Sequence, residues 1–226
     1  MKILHLESSS KNCSVAISDD ENLLCLCEEV SENFKQSESL HVFVKWALEG
    51  AGLELKQLDA VSLGKGPGSY TGLRIGAAAA KGFCFSLNLP LIAINSLETM
   101  VFPFLNSSYD CVIPLVDARR MEVYCAVYDG VSGNEIQPTE AKILDENSFK
   151  EFKNKKILFV GDGVIKAKEI LQLPQAEYNS QIYPSAQYLV NAAVEKFNNN
   201  DFEDIAYFEP FYLKDFQGVK KKKSED

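Results

Sequence analysis

The run Gly64-Lys65-Gly66-Pro67-Gly68-Ser69-Tyr70-Thr71-Gly72-Leu73-Arg74-Ile75-Gly76 constrains this chain most, because three glycines and a proline within five positions exclude regular structure. It follows a short apolar segment, residues 58–63, and precedes a long Ala-rich one, so it reads as a strand-to-helix turn with Ser69 or Thr71 as the cap. Such a turn either cradles an anion on the N–H groups of the helix start or lets a second backbone come very close. The spacing is not G-x-G-x-x-G, and no Lys-Ser/Thr pair follows the last glycine as a P-loop requires. The helix expected over residues 71–87 carries only Arg74 and Lys81 as charges. A helix lacking a broad polar face is covered on nearly every side. Gly72, Gly76, Ala80 and Cys84 recur at every fourth position as a smooth ridge. Either the chain's own sheet or a second chain covers it.

The 226 residues, 46% hydrophobic and 24% charged, are those of an ordinary globular protein. The first seven residues reach a carboxylate too soon for a signal peptide or a membrane span, and the six cysteines (13, 25, 27, 84, 111, 125) include no C-x-x-C pair. The expectation is a cytoplasmic protein with reduced cysteines and no membrane partner. A net charge of −9 argues against a broad nucleic-acid-gripping face, leaving the lysines at 220–223 as a basic tail. His5 and His41, 36 residues apart, cannot form a two-histidine metal site on one helix.

Residues 3–7, 13–18 and 23–29 read as a three-stranded meander. In the helix expected over 37–50, Leu40, Phe43, Val44, Ala47 and Leu48 share one face, while Val42 and Trp46 lie off it. Beside the charge-poor second helix, those two predict a docking surface of two helices. The chain then begins again. Residues 111–117 form a strand ending in Asp117 as the first ends in Glu7, and Gly161-Asp162-Gly163 follows a strand as Gly64-Lys65-Gly66 does. The echo reads as an internal duplication, dividing the chain into 1–105, with the docking helices, and 106–226, with the basic tail. A helix is expected from Ser185, and an irregular closing piece over 205–213.

Two such halves resemble the actin, Hsp70 and sugar-kinase ATPase superfamily, whose duplicated α/β fold has two mixed-sheet subdomains with flanking helices. Within it, residues 2–17, the Gly64-to-Gly76 run, Asp117-Ala118-Arg119-Arg120-Met121-Glu122-Val123-Tyr124 and Glu209-Pro210-Phe211-Tyr212-Leu213-Lys214 resemble the TsaB-type (YeaZ-like) subunit of bacterial tRNA threonylcarbamoyladenosine biosynthesis. The resemblance implies a non-catalytic subunit, without catalytic or metal-binding residues, that supports a TsaD-like catalytic paralogue. A TsaE-like ATPase joins them, tRNA is engaged only indirectly, and the chain forms a homodimer when alone. Val42, Trp46, Gly72, Arg74, Gly76 and Ala80 are the expected partner-binding residues. Glu7, Gly64, Gly66, Asp117, Gly161 and Gly163 are the candidate nucleotide-binding positions, with ATP or ADP at the subunit boundary. Arg74→Glu or Gly76→Leu is expected to abolish co-purification with the partner while leaving the monomer folded. The alternative is an active small ATPase or kinase using Glu7 and Asp117, whose bland counterpart is two acids capping strand ends.

Overall fold

The computed structural model describes residues 1–31 and 36–214, so the lysines at 220–223 lie outside the described residues. The first sheet contains β1 (Lys2–Glu7), β2 (Asn12–Asp19), β3 (Asn22–Val30), β4 (Ala60–Gly64) and β5 (Leu91–Ile94) in the order β3-β2-β1-β4-β5. The second contains β6 (Cys111–Asp117), β7 (Glu122–Asp129), β8 (Glu135–Ile143), β9 (Ile157–Val160) and β10 (Ala176–Asn179) in the order β10-β9-β6-β7-β8. In both, the opening strand pairs antiparallel with its hairpin partner and parallel with the strand before the glycine turn. The two sheets therefore share one plan, and the fold is a duplicated, actin-like ATPase α/β fold.

Helices α1 (Gln36–Ala51) and α2 (Tyr70–Leu87) cover one side of the first sheet. Leu4, Leu6, Val15, Ile17, Val61 and Leu63 meet Leu40, Phe43, Val44, Ala47, Ala80 and Cys84 in one apolar cluster. α3 (Ser96–Thr99) is a single turn after β5, and α4 (Val164–Ile170) follows β9 as α2 follows β4. Where α1 stands in the first half, the second has only the 3₁₀ turn Lys150–Phe152.

α5 (Val190–Asn198), with the 3₁₀ turn Ala186–Leu189 before it, returns to the other side of the first sheet. There Ala186, Leu189, Ala193 and Val194 pack on Ile3, Ala16, Ala60, Ile92 and Ile94. Glu28 pins the start of this segment, its Oε2 accepting bonds from Ser185 Oγ at 2.6 Å, Ser14 Oγ at 3.0 Å and Asn12 Nδ2 at 3.1 Å. The helix expected from Ser185 thus packs in the first half, although a cut at residue 105 places it in the second. Its apolar face cannot tell which sheet it will meet.

His5 is buried at the centre of the first sheet, with Nδ1 2.6 Å from Ser62 Oγ and Nε2 2.9 Å from Ser18 Oγ. Burial lowers its pKa to about 3, so the ring stays neutral in the fold. The unfolded chain takes up a proton at the ordinary histidine pKa near 6.5, so this residue's contribution is intact above that pH and is lost as pH falls toward 3. The slope for one proton is about 1.4 kcal/mol per pH unit. Urea unfolding at pH 7, 6 and 5 is expected to show this decline, and His5→Gln to flatten it. An equal slope in the variant would assign the acid sensitivity to another group.

Candidate functional site

The glycine turn is packed against the chain's own backbone. Ser69 N donates to Ser9 O at 2.6 Å, Lys65 N to Ile94 O at 2.8 Å and Gly66 N to Ser96 Oγ at 3.1 Å. Ser69 Oγ caps α2 by accepting from Gly72 N at 3.3 Å. A Cβ at Gly68 would lie 2.2 Å from Ser9 O, and one at Gly72 2.0 Å from Ser8 O. The turn between β1 and β2 therefore rests directly on the glycine turn. Of the two roles open to such a loop, close backbone approach is the one observed.

This corrects the expected partner-facing ridge. Gly72, Gly76 and Ala80 are buried and face inward, and a Cβ at Gly76 would come within 2.4 Å of Ser8 Oγ. Their smoothness serves the β1–β2 turn and sheet, not a second chain.

The candidate nucleotide positions fall into two sets, one in each half. Glu7 is fully buried, Oε1 accepting from Ser9 N at 2.7 Å and Oε2 from Ser96 Oγ at 2.9 Å. A Cβ at Gly64 would lie 1.9 Å from Oε2, so that glycine makes room for the carboxylate. Burial pushes the Glu7 carboxyl up, against the opposing pull of the Ser9 and Ser96 hydrogen bonds. Ser96 Oγ joins Glu7 to Gly66 N, so Glu7, Gly64 and Gly66 act together to brace the turn. Both Glu7 oxygens are bonded within the chain.

In the second half Asp117 is exposed, and its Oδ1 accepts from Arg119 N at 2.6 Å and Lys166 Nζ at 2.8 Å. Its own N–H donates to Asp162 Oδ1 at 2.8 Å. Gly161 and Gly163 let the turn lie on β6, where added Cβ atoms would be 2.4 and 2.9 Å from Leu115 O. Asp117 thus closes its strand end.

The outward face of the helix pair is different from the ridge. On α1 it exposes His41, Val42, Lys45, Trp46 and Glu49, and on α2 Thr71, Arg74, Ala78, Gly82, Phe85 and Ser86. Between the helices runs a shallow groove of about 480 Å³ lined by His41, Ile75, Ala78, Ala79, Gly82, Phe83 and Ser86. A Cβ at Gly82 would meet nothing within 4 Å. His41 sits edge-on to Phe83 at 5.9 Å, Trp46 leans on Phe43 at 5.7 Å, and Phe85 is 85% exposed.

The N-terminal end of this face is held by stacking. The Arg74 guanidinium lies 4.3 Å over the Tyr70 ring and donates to Tyr70 Oη at 2.9 Å, and Tyr70 stacks on Tyr212 at 4.5 Å. Further along α2, Lys81 donates to Phe208 O at 3.1 Å and Ala206 O at 3.3 Å, holding the closing piece of the chain. Val42, Trp46 and Arg74 lie on the outward face as expected. Ala78, Gly82 and Phe85 lie there unforeseen. For Ala78 and Gly82 the sequence signal is a second line of small residues at helical spacing, two positions from the first.

Among the described residues, no group of three or more His, Cys, Asp or Glu is placed to hold a metal ion, and no helix is long and apolar enough to cross a membrane.

A family profile described as "TsaD: tRNA N6-adenosine threonylcarbamoyltransferase" matches residues 28–217. Curated relatives include the tRNA threonylcarbamoyladenosine biosynthesis protein TsaB of Bacillus subtilis, 29% identical over 179 residues, 76% of each chain. The protein of that name from Buchnera aphidicola subsp. Schizaphis graminum is 30% identical over 198 residues, 83% of this chain and 90% of the relative. With the Escherichia coli TsaB, 33% identity extends over 129 residues, 57% of this chain and 55% of the relative. Among solved structures, YeaZ from Pseudomonas aeruginosa superposes with a TM-score of 0.78 at 24% identity, covering 94% of this chain and 99% of that one. The activator of the 2-hydroxyisocaproyl-CoA dehydratase from Clostridium difficile, with bound ADPNP, superposes at 0.51 and 10% identity, covering 89% and 96%. At these identities the structures establish a shared fold.

Proposed function

The chain belongs to the TsaB (YeaZ) family and has a TsaD-like fold, and on that premise we propose that it serves tRNA threonylcarbamoyladenosine biosynthesis as a non-catalytic subunit. Its task is to bind and support a TsaD-type catalytic paralogue through the outward face of α1 and α2. The observation that carries this reading is the groove at Ala78 and Gly82, on a helix pair that also exposes Phe85 and Trp46. An apolar helix pair with small residues at its centre accepts a second helix pair closely and gains by excluding water. A paralogue of the same fold offers a similar pair. When that partner is absent the same face pairs two copies of this chain, and a TsaE-type ATPase joins the assembly. We place any ATP or ADP at the boundary between subunits, because the Glu7 carboxylate is spent inside its own turn. tRNA is then met through the partner. The working place of such a complex is the cytoplasm.

Depletion of this chain is expected to remove threonylcarbamoyladenosine from total tRNA nucleosides measured by mass spectrometry, with recovery on re-expression of the wild type. The purified chain alone is expected to leave tRNA unmodified. Modification by the isolated chain, or an unchanged nucleoside level after depletion, would refute the subunit role.

A further inference from the structure

The closing piece of the chain, residues 203–212, is tied down at several points. Glu203 N donates to Leu91 O at 2.8 Å and Phe211 N to Lys65 O at 2.8 Å, which fastens it to β5 at one end and to the glycine turn at the other. Between these ties Phe208 is buried in the apolar cluster beneath α2, and Lys81 holds the carbonyls of Ala206 and Phe208. Tyr212 follows directly on the second tie, so its backbone is placed by the glycine turn.

The Tyr212 ring stacks on Tyr70 at 4.5 Å, with 28° between the planes. Tyr70 opens α2, and one turn further on the Arg74 guanidinium lies 4.3 Å from the Tyr70 ring centre and donates to Tyr70 Oη at 2.9 Å. A relay of three side chains therefore runs from the closing piece to an exposed cation on the outward face of the helix pair. An exposed arginine left to itself samples many rotamers, and ordering such a side chain on binding lowers affinity. One already held on an aromatic ring avoids that loss. The ring that holds it is in turn kept in place by Tyr212, since aromatic pairs favour defined stacked geometries.

We propose that Tyr212 is a positioning residue for partner docking, presetting Arg74 through Tyr70 without itself meeting the partner. The proposal rests on the docking role of the α1–α2 face.

The test is titration calorimetry of the full-length chain with the TsaD-type paralogue, with circular dichroism on each variant to report its fold. Tyr212→Ala is expected to weaken binding about tenfold, the scale of one aromatic stack together with one cation–π contact. Tyr212→Phe, which keeps the ring, is expected to bind within about threefold of the wild type. Arg74→Ala should weaken binding about tenfold or more, and in that background Tyr212→Ala should add no more than about twofold, because the side chain it positions is gone. Tyr212→Leu carries the same comparison should the alanine variant fail to fold. Ala78→Glu, in the groove, reports on the docking face independently of the relay. If Ala78→Glu leaves affinity unchanged, the docking role falls and this proposal with it. If Ala78→Glu weakens binding while folded Tyr212→Ala binds as the wild type does, the relay alone is overturned. The relay is overturned as well when Tyr212→Phe binds as weakly as Tyr212→Ala, or when the losses from Tyr212→Ala and Arg74→Ala add in full.

Discussion

Ala78→Glu is expected to weaken binding of the TsaD-type paralogue roughly 100-fold or more, the scale of leaving a charge buried and unpaired in an interface. Ala78 is exposed in the free chain and lines the groove between α1 and α2, so a carboxylate there meets water in the monomer and apolar surface only on docking. The thermal midpoint of the isolated chain should therefore change little, and titration calorimetry with the paralogue should show the loss. Phe85→Ala gives a second reading of the same face with no new charge. If both variants bind at wild-type strength, the partner docks elsewhere.

Gly72→Ala is expected to fail in the opposite way, by destabilising the chain by about 3 kcal/mol or more, at the upper end for forcing extra bulk into a packed interior. The new methyl would lie 2.0 Å from Ser8 O, a backbone atom of a turn that also receives the Ser69 N–H through Ser9 O. Neither neighbour is a flexible side-chain end that can swing aside. Gly76→Leu is destabilising for a different reason: its first added atom meets side-chain ends, Ser8 Oγ at 2.4 Å and Leu63 Cδ1 at 3.0 Å, but the position is buried and three further carbons must be packed there. Its expected loss of partner binding comes from unfolding, so it cannot serve as a clean undocking variant. Gly82→Ala, four residues from Ala78, has open space around the added methyl and is expected to stabilise the monomer by up to about 1 kcal/mol through helix propensity. Urea denaturation of the three variants should rank Gly82→Ala highest and the other two far below the wild type. A Gly72→Ala chain as stable as the wild type would mean that the turn yields easily.

The sequence made the duplicated plan readable because each half repeats its order of strand, acid, hairpin and glycine turn, and those signals are local. Helix α2 shows where local reading stops. Its spacing of small residues correctly announced a close approach, but two lines of them run along the helix, and nothing in the spacing assigns one to the sheet and the other to solvent. The decision rests with Ser8 and Ser9, some sixty positions earlier in the chain, whose backbone occupies the room at Gly68 and Gly72. Glu7 was likewise visible as an acid ending a strand. That its two oxygens are taken by Ser9 and Ser96 depends on β5 lying two strands away, which no periodicity encodes. Val42 and Trp46 were found more easily, being apolar residues displaced from an otherwise clean amphipathic face.

The replacement of α1 by the single turn Lys150–Phe152 in the second half bears on how large an assembly can grow. Linear polymerisation requires each protomer to carry two contact faces that recruit the next without end, and a closed pair requires only one. If the long helix pair is the docking face proposed above, a single mate occupies it, and among the described residues the second lobe carries no matching long pair from which a filament could extend.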